Sequence, residues 1–144
     1  MGIVVDFQKK QRYKQLDFER RALRDLSLEK IEASIHHCFS QYMVLVPASD
    51  QTVRDMCAEY AMEAFLLGSS MARFGFYGED MDRVFQQRSR NRMDEMAEDF
   101  CTFWLFWTQT RKYDGLFHVC EQYLYTWWAE GFESSLRRWR LKMR

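Results

Sequence analysis

At 144 residues the chain has the length of one domain, enough to bury roughly 68–70% of its unfolded surface without staples. Its aromatic content of 17%, with 5 Trp and 12 Phe, excludes a disordered chain, and 1 Pro with 6 Gly leaves little turn material for a β-sandwich. The 21 Lys and Arg balance 21 Asp and Glu, which removes any global electrostatic case for nucleic acid.

Residues 6–25 predict a mostly solvated helix anchored by Phe7, Leu16, Phe18, Ala22, Leu23 and Leu26, with residues 1–8 a candidate disordered N-terminus. Its basic cluster Lys9, Lys10, Arg12 and Lys14 reads as a solvated face. Ser27 is placed to cap a second helix, in which Leu28, Ile31, Ile35, Cys38, Phe39, Tyr42 and Met43 recur at three- and four-residue steps. That helix should end before Pro47, because the residue before a proline is pushed out of the helical region. Ser49 or Asp50 then caps a central helix over about 50–73.

At about 100° per residue, Val53, Met56, Cys57, Tyr60, Ala61, Ala64, Leu67, Gly68 and Met71 share one face of the central helix. Within it Cys57, Ala61, Ala64 and Gly68 form a lane of small residues that lets a partner helix come close. Gly68 costs roughly 1 kcal/mol of helix stability against Ala, so close packing is its expected motive. Met62, Phe65 and Leu66 lie off this face, as expected of a helix packed from several sides. Phe74-Gly75-Phe76-Tyr77-Gly78 breaks the periodicity, and Glu79, Asp80 and Asp82 suit the positive start of a new helix.

The arginine-rich stretch 83–92 reads as a short helix or a break. A strong helix follows over about 93–112, with Phe100, Phe103, Trp104, Phe106 and Trp107 spread nearly all the way round it. Tyr113-Asp114-Gly115 is a turn signal. The last helix runs from Leu116 to near the end, with Cys120, Tyr123, Leu124, Trp127, Trp128 and Phe132 as core candidates.

No two of Cys38, Cys57, Cys101 and Cys120 are spaced as CxxC, and all four read as buried free thiols in a reducing compartment. No signal peptide is visible, Asp6 defeats a myristoylation motif at Gly2, and the longest stretch without a charged side chain, 33–49, is too polar to span a membrane. The cytoplasm is the expected location.

Few residues point to chemistry. Glu59 and Glu63 form an i,i+4 carboxylate pair on the central helix, a repulsive spacing. Glu63 is the candidate half-buried acid; a surface pair answered by arginines is the plainer alternative. A helical di-iron site needs two Glu-x-x-His motifs, and the chain offers one reversed copy, His118-x-x-Glu121. His36, His37 and Cys38 are adjacent and diverge on a helix, so they cannot chelate together. There is no HExxH, phosphate-binding glycine loop or nucleophile elbow, and no metal, cofactor or catalytic residue is assigned. The candidate interaction surface is the basic tail, Arg137, Arg138, Arg140, Lys142 and Arg144, with Leu136, Trp139 and Met143 on its apolar side. The plainer reading of these bases is that they complement the helix dipole. Arg83, Arg88, Arg90 and Arg92 would extend the patch if they face the same way.

Four segments, Ala61-Met62-Glu63-Ala64-Phe65-Leu66-Leu67-Gly68, Phe74-Gly75-Phe76-Tyr77-Gly78-Glu79, Trp127-Trp128-Ala129-Glu130-Gly131-Phe132 and Leu141-Lys142-Met143-Arg144, together resemble a small family from bacilli and relatives catalogued as a domain of unknown function. The resemblance covers nearly the whole chain and implies a bacterial cytosolic protein of about this length. It transfers no activity, substrate or site. The arginine density of 83–92 departs from the family pattern.

The expected architecture is therefore all-α: a compact single-domain bundle of about five helices around a buried central helix. The leading functional expectation is a non-enzymatic interaction or regulatory protein with an unknown protein partner. The alternative is a small helical ligand-binding protein or enzyme with Glu63 in an internal pocket, and a third option is a homo-oligomer with aromatic side chains in its interface.

Overall fold

Small residues set how closely the two longest helices approach. The computed structural model describes residues 2–46, 50–109 and 115–142. In it helix α3 (Asp50–Phe76) lies against helix α6 (Leu116–Lys142), and the two make the largest interface of the fold. A Cβ on Gly68 would sit 1.9 Å from the carbonyl oxygen of Trp128, and one on Gly131 would sit 2.0 Å from that of Phe65. Each helix thus uses a glycine where the other's backbone passes. The lane foreseen on α3 is this contact: Cys57, Ala61 and Ala64 are fully buried, and Gly68 with them.

Two hydrogen bonds cross the interface. Tyr123 donates its hydroxyl to the Cys57 carbonyl at 2.7 Å, and Ser69 donates to the Gly131 carbonyl at 3.1 Å. Further along, Gly75 meets the Phe132 ring and Leu136. The pairs advance in the same direction on both helices, so α3 and α6 run parallel. The chain must therefore travel back between them, and the intervening helices do this.

Helix α1 (Gly2–Leu23) begins inside the stretch 1–8 that the sequence left as a candidate disordered terminus; the described backbone is helical from residue 2. Helix α2 (Leu28–Met43) starts as expected, with Ser27 accepting the Lys30 backbone N–H at 3.3 Å. Pro47 and Ser49, invoked for the boundary between α2 and α3, lie outside the described residues, as do Tyr113 and Asp114. Helix α3 continues through Gly75 to Phe76, three residues past the expected end, and the chain turns at Gly78, where φ is +105°.

The stretch 83–92 is neither break nor separate helix. Helix α4 (Met81–Val84) runs into a π-helical turn (Phe85–Ser89) and on into α5 (Arg90–Thr108). The wider turn carries Phe85 and Ser89 into the core beside Trp128. The Phe85 ring stands edge-on to Trp128 at 5.0 Å, and the Trp128 indole N–H donates to Ser89 Oγ at 3.0 Å. With α4, the π turn and α5 forming one rod, there are five rods in the described chain and no strand among the described residues.

Aromatic rings fill the core between the rods. Phe39 of α2 stacks on Trp104 of α5 at 4.6 Å, Tyr60 of α3 on Phe100 of α5 at 4.6 Å, and Trp128 on Phe132 at 5.3 Å. Phe65 fits the expectation of a helix packed from several sides. Assigned to a position off the apolar face, it is fully buried, because its side of α3 is where Gly131 lets α6 in.

Candidate interaction surface

Glu63 is at the surface, not in an internal pocket. It lies roughly 200° around α3 from Ala61, away from the α6 contact. Its carboxylate pairs with Arg92 at the start of α5, and its side chain is 47% exposed. The neighbouring internal space, lined by Val53, Met56, Cys57, Phe100, Phe103, Trp104 and Trp107, has no room for a water molecule. Of the two sequence readings of Glu63, the half-buried acid is overturned and the surface acid answered by an arginine fits; Glu59 is likewise exposed.

Two of the four thiols are buried as expected, and two are not fully so. Cys57 and Cys120 are buried, Cys38 and Cys101 half-buried, and all are free. Burial, then the nearby Cys38 and Glu32, pushes the Cys57 thiol up to about 12, and burial likewise raises Cys120. A thiol so raised is a poor nucleophile at neutral pH. Among the described residues, no group of three or more His, Cys, Asp and Glu side chains could hold a metal ion.

The basic tail proves to be two surfaces. Arg138 and Lys142, four residues apart, face α1, whereas Arg137 and Arg140, three apart, face the exit of α3. On the second side Arg137 and Arg140 border an open groove of about 440 Å³ together with Glu79, Asp80 and Glu133, so acids already stand opposite these bases. Arg144 and Met143 lie outside the described residues. Three of the four arginines in 83–92, Arg88, Arg90 and Arg92, do not extend the tail as a free patch, and Arg83 donates to Gln87 at 3.5 Å. Arg88 is held by both Glu79 oxygens at 3.1 and 2.7 Å and lies 3.6 Å over the Phe74 ring. Arg90 pairs with Asp94, and Arg92 with Glu63 and Glu95.

The first side is a groove between helices. Arg138 pairs with Asp25 and donates to the Arg21 carbonyl at 2.9 Å, tying the end of α6 to the end of α1. Further toward the end of α6, Lys142 shares with Lys14 a groove of about 330 Å³ floored by Phe18 and Trp139. The two helices are thus antiparallel here. Trp139 is fixed from behind by Phe76, 5.4 Å away. Arg21 is engaged by Asp17 at 2.6 Å. Lys14 and Lys142 have no carboxylate within ion-pair distance among the described residues, and the same holds for Lys9, Lys10 and Arg12. The meeting of Lys14 with Lys142 escaped the sequence reading, which treated the α1 bases and the tail as separate features 128 positions apart. Only the apolar spacing of Phe18 and Ala22 hinted at which side of α1 would pack.

The whole length of the chain, residues 1–144, matches a single family model, described as "Protein of unknown function (DUF2521)". The chain belongs to that family. A relative of this chain, the "Uncharacterized protein YbaK" of Bacillus subtilis (strain 168), is 26% identical over 148 residues, covering 100% of each chain. No solved structure matches. The resemblance drawn from the four sequence segments is thus to the right family, and its bacterial setting agrees with this relative. No helix of the described residues is long and apolar enough to cross a membrane.

Proposed function

We propose that this DUF2521 chain is a non-enzymatic interaction or regulatory protein of the bacterial cytoplasm, and that its working surface includes the basic end of α6. The observation that carries the reading is that Lys142 on α6 and Lys14 on α1 line one groove, neither with a carboxylate within ion-pair distance among the described residues. Paired charges at a protein surface contribute little to stability, and unpaired ones contribute less, so their accumulation in a concave site favours recognition over scaffolding. The same bases raise the rate of encounter with an acidic partner. The placement of Glu63 removes the support that an enzymatic alternative had.

The test is affinity capture from the native cytosol with the wild-type chain and with a variant carrying Ala at Arg137, Arg138, Arg140, Lys142 and Arg144. Proteins recovered by the wild type and lost by the variant are the expected result. An identical set from both would make the tail structural and overturn the reading.

A further inference from the structure

We infer that the groove between α1 and the end of α6 takes an acidic peptide segment of a partner protein, inserting one apolar side chain over Phe18 and Trp139 and setting carboxylates against Lys14 and Lys142. This rests on the interaction reading above and names the partner's chemistry.

Three observations converge on it. At about 330 Å³ the groove is at the small end of ligand sites, sized for one large side chain rather than a cofactor. Its floor is aromatic and its rim cationic: Arg21 and Arg138 are already engaged by Asp17 and Asp25 and act as fixed walls, whereas the ammonium groups of Lys14 and Lys142 remain to be answered. An apolar residue flanked by Asp or Glu complements that arrangement. Finally, α1 is exposed at every residue from Gln8 to Asp17. A stretch of helix without packing is marginal in water; α1 is held by its last turns, where Ala22 is buried, and a segment laid along the groove would add contact at Lys14 and Asp17.

Other anionic partners fit less well. Too few bases converge for strong phosphate binding, and the chain as a whole carries no net positive charge. A lipid surface needs apolar side chains that project beside the bases. Here the apolar pair on the groove side is half-buried, and the exposed Tyr13 and Leu16 lie on the flank that Lys14 shares with Arg20, away from Lys142.

The experiment is an unbiased selection of displayed 12-residue peptides against the full chain. Each selected peptide is then titrated and joined to the protein with a zero-length carbodiimide cross-linker, which couples carboxylates to lysines. Parallel arms use a single-stranded oligonucleotide and vesicles of anionic phospholipid. Selected peptides should be acidic around an apolar residue, cross-link to Lys14 or Lys142, and bind about tenfold or more weakly to the Lys14→Glu, Lys142→Glu double variant. Both lysines are exposed, so that variant should keep the wild-type melting temperature, which is checked alongside; Trp139→Ala probes the floor separately. Failure to select any peptide, selection of neutral or basic peptides, cross-links elsewhere, or tighter lysine-dependent binding of the oligonucleotide or vesicles would overturn the inference. Selected peptides that instead footprint on Arg137 and Arg140 would defeat the acidic-groove inference and leave the interaction reading standing. Footprints that avoid α1 and α6 altogether would defeat both.

Discussion

Two glycines separate two physical reasons for having no side chain. Gly68 has ordinary helical geometry but no space: its Cβ would meet the Trp128 carbonyl at 1.9 Å. Gly78 has open space but a φ of +105°. Gly68→Ala should therefore destabilise by about 3 kcal/mol or more, since overpacking against rigid backbone outweighs the roughly 1 kcal/mol that Ala gains as a helix former. Gly78→Ala should cost only about 1–2 kcal/mol, the backbone penalty alone. Chemical denaturation of both variants checks the order, and equal losses would contradict it. The thiols allow a second prediction. The reactive species is the thiolate, and the rise of Cys57 to about 12 leaves very little of it at neutral pH. In the folded chain Cys57 and Cys120 should resist a thiol reagent at pH 7.5 while Cys38 and Cys101 react slowly, and all four should react at once in denaturant. Mass mapping of the labelled cysteines provides the readout.

At the level of elements, the helices were largely legible because apolar spacing reports burial wherever a helix has one buried side. Ile31, Ile35 and Phe39 show this on α2, and all three are buried. What the sequence concealed is what periodicity does not encode. The 83–92 stretch has too many arginines to show an apolar stripe, so the π turn that buries Phe85 and Ser89 looked like a break. Phe65 was expected to pack, but its partner stayed hidden, because a glycine 66 positions away leaves no apolar mark. Glu63 seemed half-buried because Met56 and Tyr60 beside it are apolar, yet that flank faces α5 with an arginine at its edge. The connection from α3 to α4 carries its own pH dependence. The hydrogen bonds from Arg88, aided by its charge, hold the Glu79 carboxyl below its usual 4.5. A lowered folded value means that the clip's support is present above that ordinary value and is lost as pH falls through the lower folded one. Amide exchange at Tyr77 to Asp80, corrected for its intrinsic pH dependence, should lose protection in that acidic window, whereas an Arg88→Gln variant should show no such step.

For the whole molecule, the legible part was the class, an all-α bundle around α3; the pairing was not. The groove joining Lys14 to Lys142 exists only because the first and last helices lie antiparallel, an arrangement invisible in either segment alone. Pairing also fixes how the fold tolerates shortening. A chain ending at Thr126 would lose Trp128, Gly131 and Phe132, and with them the partner of Gly68 and the acceptor of the Ser69 hydroxyl. It should lack a cooperative thermal transition by circular dichroism, although most of the helical sequence remains. A sharp transition in that fragment would refute the central role given to the α3–α6 contact.

The parallel contact also has a consequence in time. Ser69 leaves the ribosome 62 residues before the Gly131 carbonyl that it bonds, and Cys57 precedes Tyr123 by 66. At roughly 5–20 residues per second, the small-residue side of α3 stays bare for about 3–13 s of synthesis. During that interval its one close-fitting cover does not yet exist, and the nascent chain presents a smooth apolar strip to whatever chaperone waits at the exit tunnel.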